Sequence, residues 1–451
     1  MTSRARSVHR RQRSVIGKVL EVVGARGYVH RVMGTPTGVT TSPLPDPPSA
    51  PLRDREQAEG YVAMVCFKHG PPRLHGVEIE WTVHHRGDPS RPLNSNQLSL
   101  ALGQHAPATI NPQSPHLPLP AGSLVTFEPG GQVEISAPPS ASAADLIALA
   151  SADAATLAGL LDECGLVLGR HGTDAFRLPT RVLQAPRYEA MQSAFDRIGP
   201  HGSQMMCSTA SIQVCLDAGE ADQAATRWRA AHALGPALVA LFANSPDLGG
   251  RHTGWASSRL RATLGTCPPF TSPPKSIEDP ANQWARTAME APVICVRRDG
   301  SSWAAPRGLS FSRWLAEPAA VGRRPTFDDL DYHLTTLFPP VRPRGYLEIR
   351  YLDAQAGSGW VTPCALLAAL MARPSTIDQA LEITEASAGL WLEAACRGLE
   401  DPMLNEAAGQ VIQLGADSLG DLDLTPGQQR QVLDDLAQRL DTISARRRFS
   451  A

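Results

Sequence analysis

The chain has 451 residues, 42% of them hydrophobic, and carries 42 Lys and Arg against 44 Asp and Glu for a net charge of −2. That length supports a large core and one to three domains. Near-neutrality argues against a general attraction to nucleic acid or to anionic membrane, and no apolar run approaches the length of a membrane span. Eight scattered cysteines without a C-x-x-C spacing give no support to a zinc ribbon or a redox motif; they read as buried thiols of a cytoplasmic protein.

Residues 1–52 read as an extension. The first part is basic, with Arg4, Arg6, Arg10, Arg11, Arg13 and Lys18 against the single acid Glu21, and residues 35–51 form a Pro-, Thr- and Ser-rich linker. A helix is expected from Arg53 to about Phe67, ended by Gly70-Pro71-Pro72. Then comes Gly76-Val77-Glu78-Ile79-Glu80-Trp81. Its alternation predicts a strand with Glu78 and Glu80 on one face and Val77, Ile79 and Trp81 on the other. His84 and His85 would point to opposite sides and are read as a rim or surface feature. Residues 86–120 read as a long connection.

The next stretch, Thr126-Phe127-Glu128-Pro129-Gly130-Gly131-Gln132-Val133-Glu134-Ile135-Ser136, breaks at Pro-Gly-Gly and resumes as a strand. Gln132, Glu134 and Ser136 share one of its faces. An Ala/Leu-rich helix is expected over roughly 141–164. Met206 to Asp217 reads as a half-buried strand with Thr209, Ser211, Gln213 and Asp217 on its polar side, followed by a helix over 220–243. Gly254-Trp255-Ala256-Ser257-Ser258-Arg259 reads as a turn-rich loop holding an arginine beside an aromatic, a common anion-binding arrangement or simply a surface arginine. In Arg344-Gly345-Tyr346-Leu347-Glu348-Ile349-Arg350-Tyr351-Leu352-Asp353, Glu348 and Arg350 share a face and Leu347, Ile349 and Tyr351 take the other. Beyond 360 the chain reads as helical. Thr376-x-x-Gln379 and Thr425-Pro426-x-Gln428 have the form of capping boxes, and Val432, Leu433, Leu436, Leu440 and Ile443 form an apolar stripe.

Four strands, each polar on one face and apolar on the other, assemble most simply as an antiparallel sheet with helices on the apolar side, an α+β fold. Glu78, Glu80, Glu128, Glu134 and Glu348 then collect on one face with Gln213 and Arg350. So many carboxylates cannot all stay ionised uncompensated. Magnesium or manganese with oxygen ligands would compensate them, and such ions usually carry substrate phosphates. The only lysines are Lys18, Lys68 and Lys275, so a P-loop is excluded. No G-x-G-x-x-G, G-x-S-x-G or H-E-x-x-H motif occurs either.

The ordered set GVEIEW (76–81), TFEPGGQVEIS (126–136), MMCSTASIQVCLD (205–217), FANSP (242–246) with GWASSR (254–259), and RGYLEIRYLDAQ (344–355) resembles the glutamate–cysteine ligase type 2 family. It is most similar to the bacterial branch making γ-glutamylcysteine for ergothioneine biosynthesis. The resemblance covers roughly 55–400. It implies a glutamine-synthetase-like fold, a curved sheet with an acidic inner face, with a catalytic part over 53–360 and a helical part over 361–451 packed on it. It implies ATP, about two or three magnesium ions, L-glutamate and L-cysteine, in a monomer or weak homo-oligomer. By motif, Glu78, Glu80, Glu128, Glu134 and Glu348 would be metal ligands, with Gln213. Arg350 would contact the transferred phosphoryl group, Arg259, Gln132 and Thr209 would hold substrate, and Lys68 would touch phosphate. The sequence departs from the family at Phe270, where an arginine is usual. That leaves two alternatives open: another amine in place of cysteine, or a nucleotide-binding homologue without catalysis.

Overall fold

A computed structural model describes residues 50–274, 278–300 and 302–450, with side chains through 444. The basic stretch and most of the proline-rich linker lie outside the described residues. At the described start, Leu52 is fully buried and its N–H donates to the Pro325 carbonyl.

The strands are β1 (His75–Trp81), β2 (Val83–His85), β3 (Leu124–Phe127), β4 (Val133–Ser136), β5 (Leu166–Leu168), β6 (Ser211–Leu216), β7 (Asp247–Leu248), β8 (Arg251–His252), β9 (Val341–Pro343) and β10 (Leu347–Asp353). Six make one antiparallel sheet in the order β3-β4-β1-β6-β10-β9. The α+β expectation is therefore met. Register sets the faces. Ile79 lies opposite both Ile135 and Ile212, while Glu80 lies opposite Glu134 and Glu78 opposite Gln213. The apolar set packs into one core with helices Ala143–Glu163, Ala224–Ala233, Gly235–Phe242 and Val361–Leu370. Val411, Ile412, Val432, Leu436 and Ile443 of the C-terminal helices join the same core.

Several expectations are corrected. Helix Ala143–Glu163 is long and apolar enough, by length and composition, to cross a membrane. It lies instead along β1 and β4 as part of the core, with Asp153 fully buried and accepting from the Ala121 and Ser123 N–H groups. The connection 86–120 contains helix Ser95–Leu102, capped by the Asn94 side chain. Met206–Ser208 end a helix (His201–Ser208) rather than begin β6. The helix expected over 220–243 is broken at Leu234 into two. There Gly235 meets the Trp391 ring so closely that a Cβ would sit 2.1 Å from it.

His84 and His85 are buried, because β2 pairs with β5 and their rings bond to the Pro89 and Pro92 carbonyls. Thr376 lies inside helix Pro374–Thr384 and is no cap, since Pro374 occupies the helix start. Thr425 and Gln428 do form the reciprocal box, with bonds of 2.9 and 3.3 Å. In the final stripe Leu433 is exposed.

Candidate active site

The polar face of the sheet forms the floor of a cavity of about 280 Å³. Glu78, Glu80, Glu128, Gln132, Glu134, Thr209, Gln213, Arg259 and Arg350 all line it. These residues come from five separated stretches. The strand register delivers Glu78, Glu80, Glu134 and Gln213. Glu128 comes from the turn after β3, held by close packing: the Pro129 carbonyl accepts from the Val182 and Leu183 N–H groups. Gly130 lies against the Cys207 backbone, so a Cβ there would stand 2.0 Å from the Cys207 carbonyl oxygen.

Glu80, Glu128 and Glu134 each offer an oxygen within 4.8 Å of the others. Gln213 bridges two of them, donating Nε2 to Glu80 (2.9 Å) and Glu134 (3.1 Å). Thr126 donates to the other Glu134 oxygen (2.7 Å), and the Ser211 N–H and hydroxyl both donate to Glu80. One side-chain amide, two hydroxyls and one backbone N–H are all uncharged and do not neutralise three carboxylates. Burial, then Glu348, pushes Glu78 up to about 7. Burial, then Glu80, pushes Glu128 to about 7. Burial and the charges of Glu78, Glu80 and Glu128 hold Glu134 well above the carboxylate range. A hard divalent cation fits this oxygen set and would return these groups to their ionised form.

The opposite end of the floor is cationic. Arg342, Arg344 and Arg350 surround Glu348, whose side chain is fully buried. Arg342 holds both its oxygens, with Nη2 at 3.1 Å from Oε1, and Arg350 Nη1 lies 3.2 Å from Oε2. Burial alone would raise this carboxyl, but Arg342 and Arg350 hold it far below the ordinary range. Glu348 thus sits behind the guanidinium groups and does not line the cavity among the described residues. Arg350 also donates to the Gln213 carbonyl oxygen, which links the two ends.

Gln132 is 2% exposed. Its Nε2 donates to the Thr209 carbonyl (2.9 Å) and the Met206 carbonyl (3.3 Å), leaving Oε1 buried with no partner. Arg259 is 4% exposed and belongs to helix Ser258–Thr266 rather than to a surface loop. The arginine stacked on Trp255 is Arg261, at 4.6 Å. Lys68 is exposed outside the cavity wall with its stem over Gly345. Phe270, in the short helix Pro268–Thr271, packs on the core beside a small apolar recess shared with Phe195 and Phe338.

Sequence reading missed four contributors. Arg342 and Arg344 were legible only as charges beside a strand; the β9–β10 register aims Arg342 at Glu348. Arg187 lies in the first turn of helix Pro186–Phe195, lines the cavity, and is held by the Thr335 hydroxyl and carbonyl. Asp353, at the end of β10, grips Arg259 (Nε–Oδ1 3.0 Å).

Residues 74–448 match the model of glutamate–cysteine ligase family 2. The chain is 39% identical over 404 residues to glutamate–cysteine ligase EgtA of Mycolicibacterium smegmatis, covering 85% of this chain and 91% of that one. It is 38% identical over 379 residues to the EgtA of Mycobacterium tuberculosis, covering 82% and 85%. Among solved structures, the glutamate–cysteine ligase of Francisella tularensis in complex with AMP aligns with a TM-score of 0.45 at 11% identity, over 84% of this chain and 83% of that one. The chain therefore belongs to glutamate–cysteine ligase family 2.

Proposed function

We propose that this cavity joins L-glutamate to L-cysteine at the expense of ATP, giving γ-glutamylcysteine, as a step toward ergothioneine. A carboxylate is a poor electrophile, so the acid is activated first. A γ-carboxylate oxygen of glutamate attacks the γ-phosphorus of ATP; an O–P bond forms, the bond to the β,γ-bridging oxygen breaks, and ADP leaves. The cysteine nitrogen then attacks the acyl carbon. A C–N bond forms, the C–O bond breaks, phosphate departs, and the nitrogen sheds a proton.

One observation carries this reading: a single cavity sorts its charges into a carboxylate end and a guanidinium end. Phosphoryl transfer needs cations to gather phosphate oxygens and further donors to absorb the charge that moves. Magnesium, or manganese, held by the acids would supply positive charge for the phosphate oxygens. Glu78, Glu80, Glu128 and Glu134 are the residues suited to hold such ions. Gln213 would join them only with its amide turned over, since its carbonyl is now on Arg350. A metal role for Glu348 requires Arg342 and Arg350 to pass from its carboxylate to phosphate oxygens. Arg350 faces the transferred phosphoryl group, and Arg259 offers a guanidinium to the glutamate carboxylate or the acyl phosphate. The Gln132 carbonyl oxygen is fixed as an acceptor, which suits a substrate ammonium, beside Thr209. Lys68 could touch phosphate only by swinging in from outside the wall.

The test is ADP release by purified protein with ATP, magnesium and L-glutamate, with and without L-cysteine. Cysteine-dependent release with matching γ-glutamylcysteine is expected. Release that ignores cysteine but responds to another amine keeps the chemistry and moves the substrate. No release under any condition overturns the ligase reading.

A further inference from the structure

Asp353 would fall on the apolar face of β10 if that strand were regular, because Glu348 and Arg350 occupy the polar one. The strand is not regular. The pairing with β6 runs Ile349↔Val214 and then Leu352↔Ile212, so two residues, Arg350 and Tyr351, stand against Gln213 alone. This bulge exchanges the faces. Asp353 comes to lie opposite Ser211, a residue of the cavity floor.

Asp353 is 2% exposed, and its carboxylate accepts four bonds. Oδ1 takes the Ser257 hydroxyl (2.8 Å) and Arg259 Nε (3.0 Å). Oδ2 takes the Ser245 hydroxyl (2.6 Å) and the Asn244 N–H (2.9 Å). Gly172 lies against it so closely that a Cβ there would come 2.8 Å from the Asp353 carboxyl carbon. Arg259 is held on one edge only: Nε by Asp353, and Nη2 by the Arg350 carbonyl at 2.7 Å. A guanidinium has five N–H groups in a rigid fork. The other edge, Nη1 and the second Nη2 hydrogen, has no bond to a described residue, and Arg259 lines the cavity.

We infer that Asp353 is the positioning residue of the reaction, fixing the inner edge of Arg259 so that its outer edge meets an anionic oxygen of the acid substrate. The bracket joins three separate stretches, the turn at Asn244–Ser245, the helix start at Ser257, and the end of β10. A guanidinium aimed by a buried carboxylate loses no freedom when substrate arrives, which is what preorganisation requires. The inference rests on the reading of Arg259 as a substrate contact.

The experiment is a double-mutant cycle in the full chain, with Asp353→Asn, Arg259→Ala and the pair. It is read as the KM for glutamate, the KM for magnesium–ATP, and melting temperature. If Asp353 acts through Arg259, Asp353→Asn raises the glutamate KM about tenfold, leaves the magnesium–ATP KM within about twofold, and adds nothing in the Arg259→Ala background. Free guanidinium ion then restores activity to Arg259→Ala but not to the pair. Effects that multiply, or an equal rise in both KM values, overturn the inference. Should Asp353→Asn not fold, Ser257→Ala tests the same oxygen: a rise of about threefold in glutamate KM, absent in the Arg259→Ala background, supports it, and a rise that persists there overturns it. A silent Arg259→Ala overturns the reading of Arg259 itself, whatever Asp353 does.

Discussion

Glu134 and Glu348 are the same residue type on the same face of the same sheet, both buried, and the protein treats them oppositely. Around Glu134 stand Glu78, Glu80 and Glu128, and its carboxyl is driven toward the neutral form. Around Glu348 stand Arg342, Arg344 and Arg350, and its carboxyl is held ionised. Burial raises both; the neighbours decide the outcome. One end of the floor is thus short of positive charge and the other is satisfied. Only the first has an electrostatic reason to recruit a cation.

Removing Glu348 breaks this comparison most severely. Glu348→Gln leaves buried guanidinium groups without their counter-charge and is expected to cost about 3–5 kcal/mol of stability, in denaturant titration, together with ADP formation. Glu134→Gln is expected to abolish ADP formation by a factor of about 10³ or more while stabilising the metal-free protein by roughly 1 kcal/mol, since it relieves repulsion. If Glu134→Gln melted below the parent in EDTA, the repulsive picture of that end would be wrong.

The pH dependence sharpens the same contrast. Glu78 and Glu128 titrate near 7 in the folded chain against an ordinary value of 4.5. Between those values the folded state binds more protons than the unfolded chain, so stability falls as pH rises. The metal-free protein is therefore expected to melt several degrees lower at pH 8 than at pH 5.5. Magnesium should raise the melting temperature more at pH 8, where it meets no competing protons. Glu348 acts in the reverse sense: its stabilisation is fully present above its ordinary value of 4.5 and is lost as pH falls below it, where the unfolded chain takes up the proton first. A melting temperature flat from pH 5.5 to 8 in EDTA would contradict the raised values.

Smaller effects are expected away from the floor. Phe270→Ala should cost about 1–2 kcal/mol of stability by leaving a gap beside Phe195 and Phe338, with a lesser change in turnover. Lys68→Ala should alter the KM for ATP by less than about threefold, because the stem lies over Gly345 outside the wall. A tenfold rise would instead show that Lys68 reaches phosphate once nucleotide is bound.

Much of this molecule was legible from local pattern. Side chains alternate along a strand whatever the rest of the chain does, so Val77-Glu78-Ile79-Glu80 and Val133-Glu134-Ile135 declared an acidic face and an apolar one. The same logic found Gln213, Glu348 and Arg350. Alternation fails where geometry departs from it. The bulge after Ile349 put Asp353 opposite Ser211 on the polar face, and helical winding, not a strand, governs Met206–Ser208. The capping signal at Thr376 gave way to Pro374, whose missing N–H fits only a helix start.

By itself, then, the sequence determined which residues share a face wherever a strand runs regularly, because that depends on neighbours in the chain; the bulge in β10 was a matter of pairing with β6. What each charged group finds opposite it was decided by the tertiary structure alone. Strand order put Glu80 against Glu134 and Glu348 against Arg342, although 54 and 6 residues separate them in sequence. Coulomb energies depend on distance in space and on the exclusion of water. The same side chain is therefore driven toward its neutral form at one end of the floor and held as an anion at the other.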